Sequence, residues 1–228
     1  MGPRPRIAGM AGILSGILLA GEFTLFMTSG WTAETFADPT AALAFLEVGG
    51  DHLRWAVVLG GLNLAAFTIL LAGIAQRLHA SAPTRASATL YLGLIGVAGH
   101  ALVPLALWVG IPALLELQAM DPAAAQSSWG AFITLLDGAQ AVGGLFLGIA
   151  MLAAGWAMVS GGALSTGAGW VGLGAGAATL LTLLAPDTPL SGVAMVAFMP
   201  ALLLSIVFRV WTGISLGYAS KHIVAVEG

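Results

Sequence analysis

The sequence predicts an all-α, polytopic membrane protein: a bundle of six transmembrane helices with a short interfacial helix on the outer side. Of the 228 residues, 59% are hydrophobic and only 7% are charged, and the mean hydropathy is +0.99. About 25% of the residues of a soluble domain are charged, so this chain has too few charges to cover a surface in water. Six apolar segments also lie near or above the length of about 20 residues that crosses the hydrocarbon.

The six predicted spans follow one another without a linker, so a single transmembrane domain covers residues 1–228. A signal peptide is the alternative interpretation of the first span, although that run is longer than a signal sequence requires. The fifth span is the shortest and contains four glycines, and small residues let membrane helices approach closely. In order, the predicted boundaries are 7–29, 53–78, 88–115, 129–159, 168–185 and 191–214.

The long first outer loop, residues 30–51, contains the signals of a short helix. Asp38 stands before Pro39, which is the pattern of an N-cap acid before proline at the first helical position. An apolar run follows, and Gly49-Gly50 is the expected stop. We predict that this helix lies on the outer membrane surface, separate from the second span.

The basic residues predict the orientation. Six of the seven Lys and Arg residues fall on one side of the predicted membrane, and an excess of this kind marks the cytoplasmic side. We therefore expect a multi-pass protein of the bacterial inner membrane with both termini in the cytoplasm. Tryptophans, which prefer the interface, fall near span ends. The six basic residues are Arg4, Arg6, Arg77, Arg85, Arg209 and Lys221, and the seventh, Arg54, is on the outer side.

The composition excludes several chemistries. The chain has no cysteine, so disulfides, iron–sulfur clusters, thiolate metal sites and cysteine nucleophiles are absent. The single lysine, Lys221, lies in the C-terminal tail, which excludes a retinal-type Schiff base within the membrane. A net charge of −3 provides no basic field for nucleic acid. We find no evident catalytic motif and predict no metal site.

Ionisable side chains within the spans are the candidates for function, because charges in hydrocarbon are costly and usually face the protein interior or a water-filled cavity. Glu22 and Asp137 lie at similar predicted depths, each about 10 Å from the outer end of its span at 1.5 Å per residue. Arg54, at the outer mouth of the second span, is long enough to reach either acid. We predict that these three residues approach one another, with Asn63 or Gln140 nearby. The set is interpreted either as a structural network that ties helices together or as a ligand or proton site open to the outer face.

His100, near the middle of the third span, is the candidate ligand for a haem or a pigment. A bis-histidine haem needs a second histidine at matching depth. His52 and His79 lie at opposite ends of the second span, and His222 lies in the tail. A single axial ligand to a pigment therefore stays open, while a packed core histidine is the simpler interpretation, and we predict no cofactor.

Several short motifs together resemble a known family. They are Arg6-Ile7-Ala8-Gly9 at the first span, Glu22 late in it, His52-Leu53-Arg54-Trp55 after the long loop, and Asp137 in the fourth span. The pattern resembles a family of uncharacterised six-helix bacterial integral membrane proteins defined as a domain of unknown function. The resemblance implies the six-span topology and no activity. That family often has a histidine near the acid of the fourth helix, where this chain has Ala139 and Gln140, a difference that argues against a metal or haem there.

The function predicted from these observations is non-enzymatic. The leading hypothesis is an accessory or scaffolding subunit, or a binder of a small or lipidic ligand. One alternative is a small transporter or proton-coupled permease that uses Glu22 and Asp137, which predicts a water-accessible cavity reaching the acids. Another is a pigment- or haem-associated subunit that uses His100. The expected partners are the lipid bilayer and either other membrane subunits or further copies of this chain, without nucleic acid.

Overall fold

The computed structural model describes residues 4–30, 32, 35, 37–183 and 191–224. These residues form helices joined by turns and contain no strand, so the all-α prediction is confirmed for the described part of the chain. Six helices have described bounds: α1 Arg4–Thr28, α2 Pro39–Leu78, α3 Pro83–Met120, α4 Pro122–Gly161, α5 Thr166–Leu181 and α6 Ser191–Val224.

The described helices have the length and composition of membrane-spanning segments. Five of them, α1, α2, α3, α4 and α6, contain a stretch long and apolar enough to cross a membrane. The remaining helix, α5, has 16 residues, which is about 24 Å at 1.5 Å per residue and less than the hydrocarbon thickness of about 30 Å. By length alone, the described residues therefore support five spans where the sequence predicted six.

The predicted interfacial helix is not a separate element. It is the first part of α2, which runs without a break from Pro39 to Leu78. Asp38 is the N-cap, as predicted, and its side chain accepts a hydrogen bond from the backbone N–H of Thr40. The expected stop at Gly49-Gly50 is wrong. A glycine ends a helix by adopting a positive φ, and within the described residues only Gly30 and Gly162 do so.

The helices pack in a closed arrangement that we call the helix ring. Each helix packs against the next one in the chain, and α1 also packs against α6. The α2 helix is the most central, because it contacts α4 and α6 in addition to α1 and α3. Neighbours run antiparallel: Gly9 at the start of α1 lies against Gly213 late in α6, while Gly16 lies against Ile206.

Glycines allow helix backbones to approach closely at several of these contacts. A β-carbon added to Gly155 of α4 would lie 2.6 Å from the carbonyl oxygen of Gly169 in α5. One added to Gly213 of α6 would lie 2.6 Å from the carbonyl oxygen of Gly9 in α1. Both obstructing atoms belong to backbone, which cannot rotate aside as a side chain can. These two contacts therefore require glycine.

Three helices extend past the others at one end of the helix ring. The α2, α3 and α4 helices have 40, 38 and 40 residues, against 25 in α1, and 40 residues measure about 60 Å, twice the hydrocarbon thickness. At the end where α3 begins and α4 finishes, these three helices stop together, since Arg85 of α3 donates a hydrogen bond to Ser160 of α4. At the same end, Arg77 of α2 donates to the carbonyl oxygen of Ala163, just after α4. The excess length is therefore at the opposite end. We call this part the projecting end, and it comprises residues 39–53, 112–120 and 122–131.

The projecting end has a hydrophobic core of its own, distinct from the main core of the helix ring. Trp129, expected at a membrane interface, is buried in it and packs against Phe132 with the two ring centroids 5.8 Å apart. Burial of these apolar side chains among three helices explains why α2 stays helical through its glycine pair. Its buried members are Ala42, Leu43, Leu46, Leu53, Leu114, Ala125 and Trp129.

Candidate functional site

A polar cluster is buried where α1, α2 and α6 meet. Arg209 of α6 donates hydrogen bonds through Nη1 to Ser15 Oγ of α1, at 2.9 Å, and to Asn63 Oδ1 of α2. Ser15 Oγ in turn lies 2.9 Å from Asn63 Oδ1, to which it donates. The exposed fractions of Ser15, Asn63 and Arg209 are 0%, 3% and 6%. The three side chains thus join three helices through bonds that are shielded from the surroundings.

Glu22 is the fourth member of this core polar cluster. The amide nitrogen of Asn63 donates to Glu22 Oε2 at 3.3 Å, and Glu22 also interacts electrostatically with Arg209. Gly60 makes room for the carboxylate, because a β-carbon there would lie 2.7 Å from Glu22 Oε1. Asn63 therefore stands between the acid and the guanidinium, donating to one and accepting from the other.

The Arg209 guanidinium is also covered by an aromatic ring. Its central carbon lies 3.9 Å from the ring centroid of Phe67, which is fully buried. A cation over an aromatic face is stabilised most where water is excluded. Two buried polar atoms of α6, Arg209 Nε and Thr212 Oγ1, have no hydrogen-bond partner among the described residues.

The position of Arg209 corrects two sequence-based predictions. It was expected to flank the cytoplasmic end of the sixth span, but α6 continues to Val224, so Arg209 lies about 22 Å from that end at 1.5 Å per residue. It also has the role predicted for Arg54, that of the countercharge near Glu22. The apolar run on both sides of Arg209 was the available signal, because a cation within such a run must be buried or paired.

The fourth helix does not contribute its polar residues to the cluster. Asp137 and Gln140 are exposed on the outside of α4, so the prediction that Asp137 points inward is wrong. The side chains that α4 turns inward are Leu136 and Ala139, together with Gly143. Close packing of small residues against α3 and α5 determines which side of α4 faces inward. This orientation leaves Asp137 on the outside.

His100 lies between α3 and α4 and is half-buried. Its Nδ1 is 3.3 Å from the carbonyl oxygen of Gly96, one turn earlier in α3. The ring rests on Gly143 of α4, where an added β-carbon would overlap Nδ1. This packing agrees with the role of a core histidine. Within the described residues, no group of three or more histidine, aspartate and glutamate side chains is arranged to hold a metal ion.

Arg54 lies elsewhere, at a groove between α2 and α3. The groove consists of two adjoining clefts of about 340 and 570 Å³ that share Val57 and Trp108. Arg54 lines the cleft nearer to the projecting end and is the charged residue among its described lining. We call these two clefts together the α2–α3 groove, and its apolar lining includes Leu53, Val57, Ala65, Ala101, Leu105 and Trp108.

No protein-family model, curated protein or solved structure matches this chain. The resemblance to a six-helix family therefore stays a prediction. Function therefore has to be inferred from the core polar cluster and the α2–α3 groove.

Proposed function

We propose that this chain is a six-span protein of the bacterial inner membrane that binds a lipidic ligand in the α2–α3 groove. The observation that carries the proposal is the groove itself: two open, adjoining, mostly apolar clefts on the outer surface of the helix ring, with the cation Arg54 among the described lining of one of them. Acyl chains are flexible and apolar, and a groove open to the bilayer admits them sideways. The proposal favours a binding protein over an enzyme or a transporter.

The six-span topology is supported by the antiparallel order of the helices. Since α4 and α6 both run antiparallel to α5, the chain has to cross between α4 and α6 even though α5 is short. The basic residues favour a cytoplasmic position for the end opposite the projecting end. With Arg209 now buried in the helix ring, five of the six remaining Lys and Arg residues belong to that end by their position in the sequence.

Cysteine labelling tests this topology, because the natural chain contains no cysteine. Glu47 in the projecting end and Ala80 at the opposite end are both exposed. A membrane-impermeant maleimide should label Glu47→Cys in intact spheroplasts and Ala80→Cys only after the membrane is permeabilised. Labelling of both variants from the same side would contradict an odd number of crossings between the two positions, and the reverse pattern would contradict the orientation.

The core polar cluster is better explained as a structural connection than as a transport site. Its members do not line either cleft of the α2–α3 groove, and Ser15, Asn63 and Arg209 are buried against one another. A permease that used Glu22 and Asp137 together would bring both acids to one cavity. Here Asp137 lies on the outside of α4, so the transporter hypothesis loses one of its two acids.

Filling the groove tests the binding proposal. Gly61 lines the larger cleft, and a β-carbon added to it meets no atom within 4 Å. Gly61→Phe should therefore place a ring in the groove without disturbing helix packing, and the purified protein should retain much less lipid per chain. Gly130→Phe is the matched control, because Gly130 in α4 is equally open and lies outside the groove lining.

The measurement is native mass spectrometry of the purified chain in detergent, with the bound lipid counted per molecule. Wild type and Gly130→Phe should retain lipid to the same extent, and Gly61→Phe should lose most of it. Equal retention by all three proteins would overturn the proposal that the groove is the binding site.

A further inference from the structure

We propose that the ligand of the α2–α3 groove is a zwitterionic phospholipid of the outer leaflet, held with its phosphate at Arg54 and its ammonium group toward the projecting end. The inference rests on the proposed function and adds the chemical class of the ligand. One acyl chain would lie along the groove from Val57 toward Leu105. The arrangement of charge along α2 and α3 carries the argument.

We place Arg54 at the depth of the phospholipid phosphates. Trp55 and Trp108 are both more than half exposed beside it, and tryptophan side chains of this kind mark the headgroup level of a bilayer. The apolar lining extends on both sides of Arg54. It continues a short way toward the projecting end, to Leu46 and Leu115, and further toward the middle of the helix ring, through Val57 and Gly61. A guanidinium group matches a phosphate in charge and in hydrogen-bonding geometry. Arg54 is thus placed for a headgroup whose chain enters the groove.

The charges beyond Arg54 have the opposite sign. Glu47 lies seven residues earlier in α2, two turns closer to the tip of the projecting end, and is exposed. Glu116 in α3 is also exposed and follows Leu115, which lines the cleft nearer to the projecting end. Neither acid is among the described lining of the two clefts, so a headgroup that leaves the groove beyond Arg54 would meet these carboxylates at the surface. The headgroup of phosphatidylethanolamine has the matching order, with phosphate first and ammonium outermost, whereas a purely anionic headgroup would be repelled.

Three lipids with identical dioleoyl chains test the contributions of the phosphate and of the ammonium group separately. They are phosphatidylethanolamine, phosphatidylglycerol and diacylglycerol. The purified, delipidated full chain is mixed with each lipid in detergent at equal concentration, and bound lipid is counted by native mass spectrometry. Phosphatidylethanolamine should bind about fivefold more than diacylglycerol, the factor expected for one basic residue near a headgroup. Phosphatidylglycerol should bind less than phosphatidylethanolamine.

Substitutions of Arg54 test whether this residue causes the stronger binding of phosphatidylethanolamine. Arg54→Gln should reduce the binding of phosphatidylethanolamine to the level of diacylglycerol, and Arg54→Lys should keep most of it. Arg85→Gln is the matched control, because Arg85 is an exposed arginine at the opposite end, and it should bind as wild type does. The three-lipid comparison needs only wild type, so it decides the inference even if an Arg54 variant fails to fold.

The outcomes that overturn the inference differ from those that overturn the proposed function. If phosphatidylglycerol binds as well as phosphatidylethanolamine, the zwitterionic ligand is wrong. If all three lipids bind equally and Gly61→Phe abolishes the binding, the headgroup inference is wrong and the lipid-binding groove stands. If no lipid binds to wild type, both fail.

Discussion

Replacing Arg209 by alanine is expected to destabilise the protein by about 3–5 kcal/mol, the range found when one member of a buried charged group is removed. The substitution removes the donor that reaches both Ser15 and Asn63 and leaves Glu22 without its electrostatic partner. It also removes the cation that covers the Phe67 ring. The free energy of unfolding in mixed micelles, measured by denaturant titration, gives the effect directly.

Arg85→Ala is the matched control for this experiment. Arg85 also contacts an aromatic ring, that of Trp156 with its centroid 5.6 Å away, and donates to a serine, but it is exposed. Its loss should cost about 1 kcal/mol or less.

A double variant isolates the charge interaction. Adding Glu22→Gln to Arg209→Ala should recover part of the lost stability, since the acid that needs a countercharge is then neutral. Strictly additive losses would show that Glu22 and Arg209 do not interact.

Replacing Gly155 by leucine is expected to produce the second large loss, at the upper end of the range of roughly 1–3 kcal/mol found for overpacked cores. The new β-carbon would lie 2.6 Å from the carbonyl oxygen of Gly169 and 2.7 Å from the backbone nitrogen of Leu173. The α4 and α5 helices would have to move apart, and contacts along their whole interface would weaken. Thermal unfolding in detergent measures the loss.

Gly138→Leu provides the control on the same helix. A β-carbon at Gly138 meets no atom within 4 Å, and leucine is a better helix former than glycine by about 1 kcal/mol. This variant should therefore be as stable as wild type or slightly more stable. If Gly155→Leu and Gly138→Leu unfold at the same temperature, the close approach of α4 and α5 is wrong.

Apolar composition and the lengths of the apolar runs were sufficient to predict the described helices in the order in which they occur. The predicted start of a short outer helix at Asp38-Pro39 is confirmed as the start of α2, because capping is a local interaction between neighbouring residues. The predicted stop at Gly49-Gly50 is wrong, because tertiary burial in the projecting end outweighs the weak helix propensity of two glycines. Local signals were reliable where no tertiary contact competed with them.

The candidate site was predicted in part. Asn63 was expected near Glu22 as an alternative to Gln140, since the polar residues of several helices fall in the outer half of the predicted membrane, and its amide does contact Glu22. The cation was misassigned, since depth along α6 depends on where that helix ends and the sequence suggested an early end. The facing of Asp137 depends on which side of α4 packs against α3 and α5, and that choice is made by small residues such as Gly143 whose partners lie on other helices.

An experimental structure in nanodiscs that contain phosphatidylethanolamine is the most direct test of the proposed binding function. We expect density for an acyl chain between α2 and α3, running from Val57 toward Leu105, with phosphate density beside Arg54. The core polar cluster of Ser15, Glu22, Asn63 and Arg209 should be closed and free of ligand. A groove closed by side chains, or ligand density at Glu22 in place of the groove, would contradict lipid binding in the α2–α3 groove.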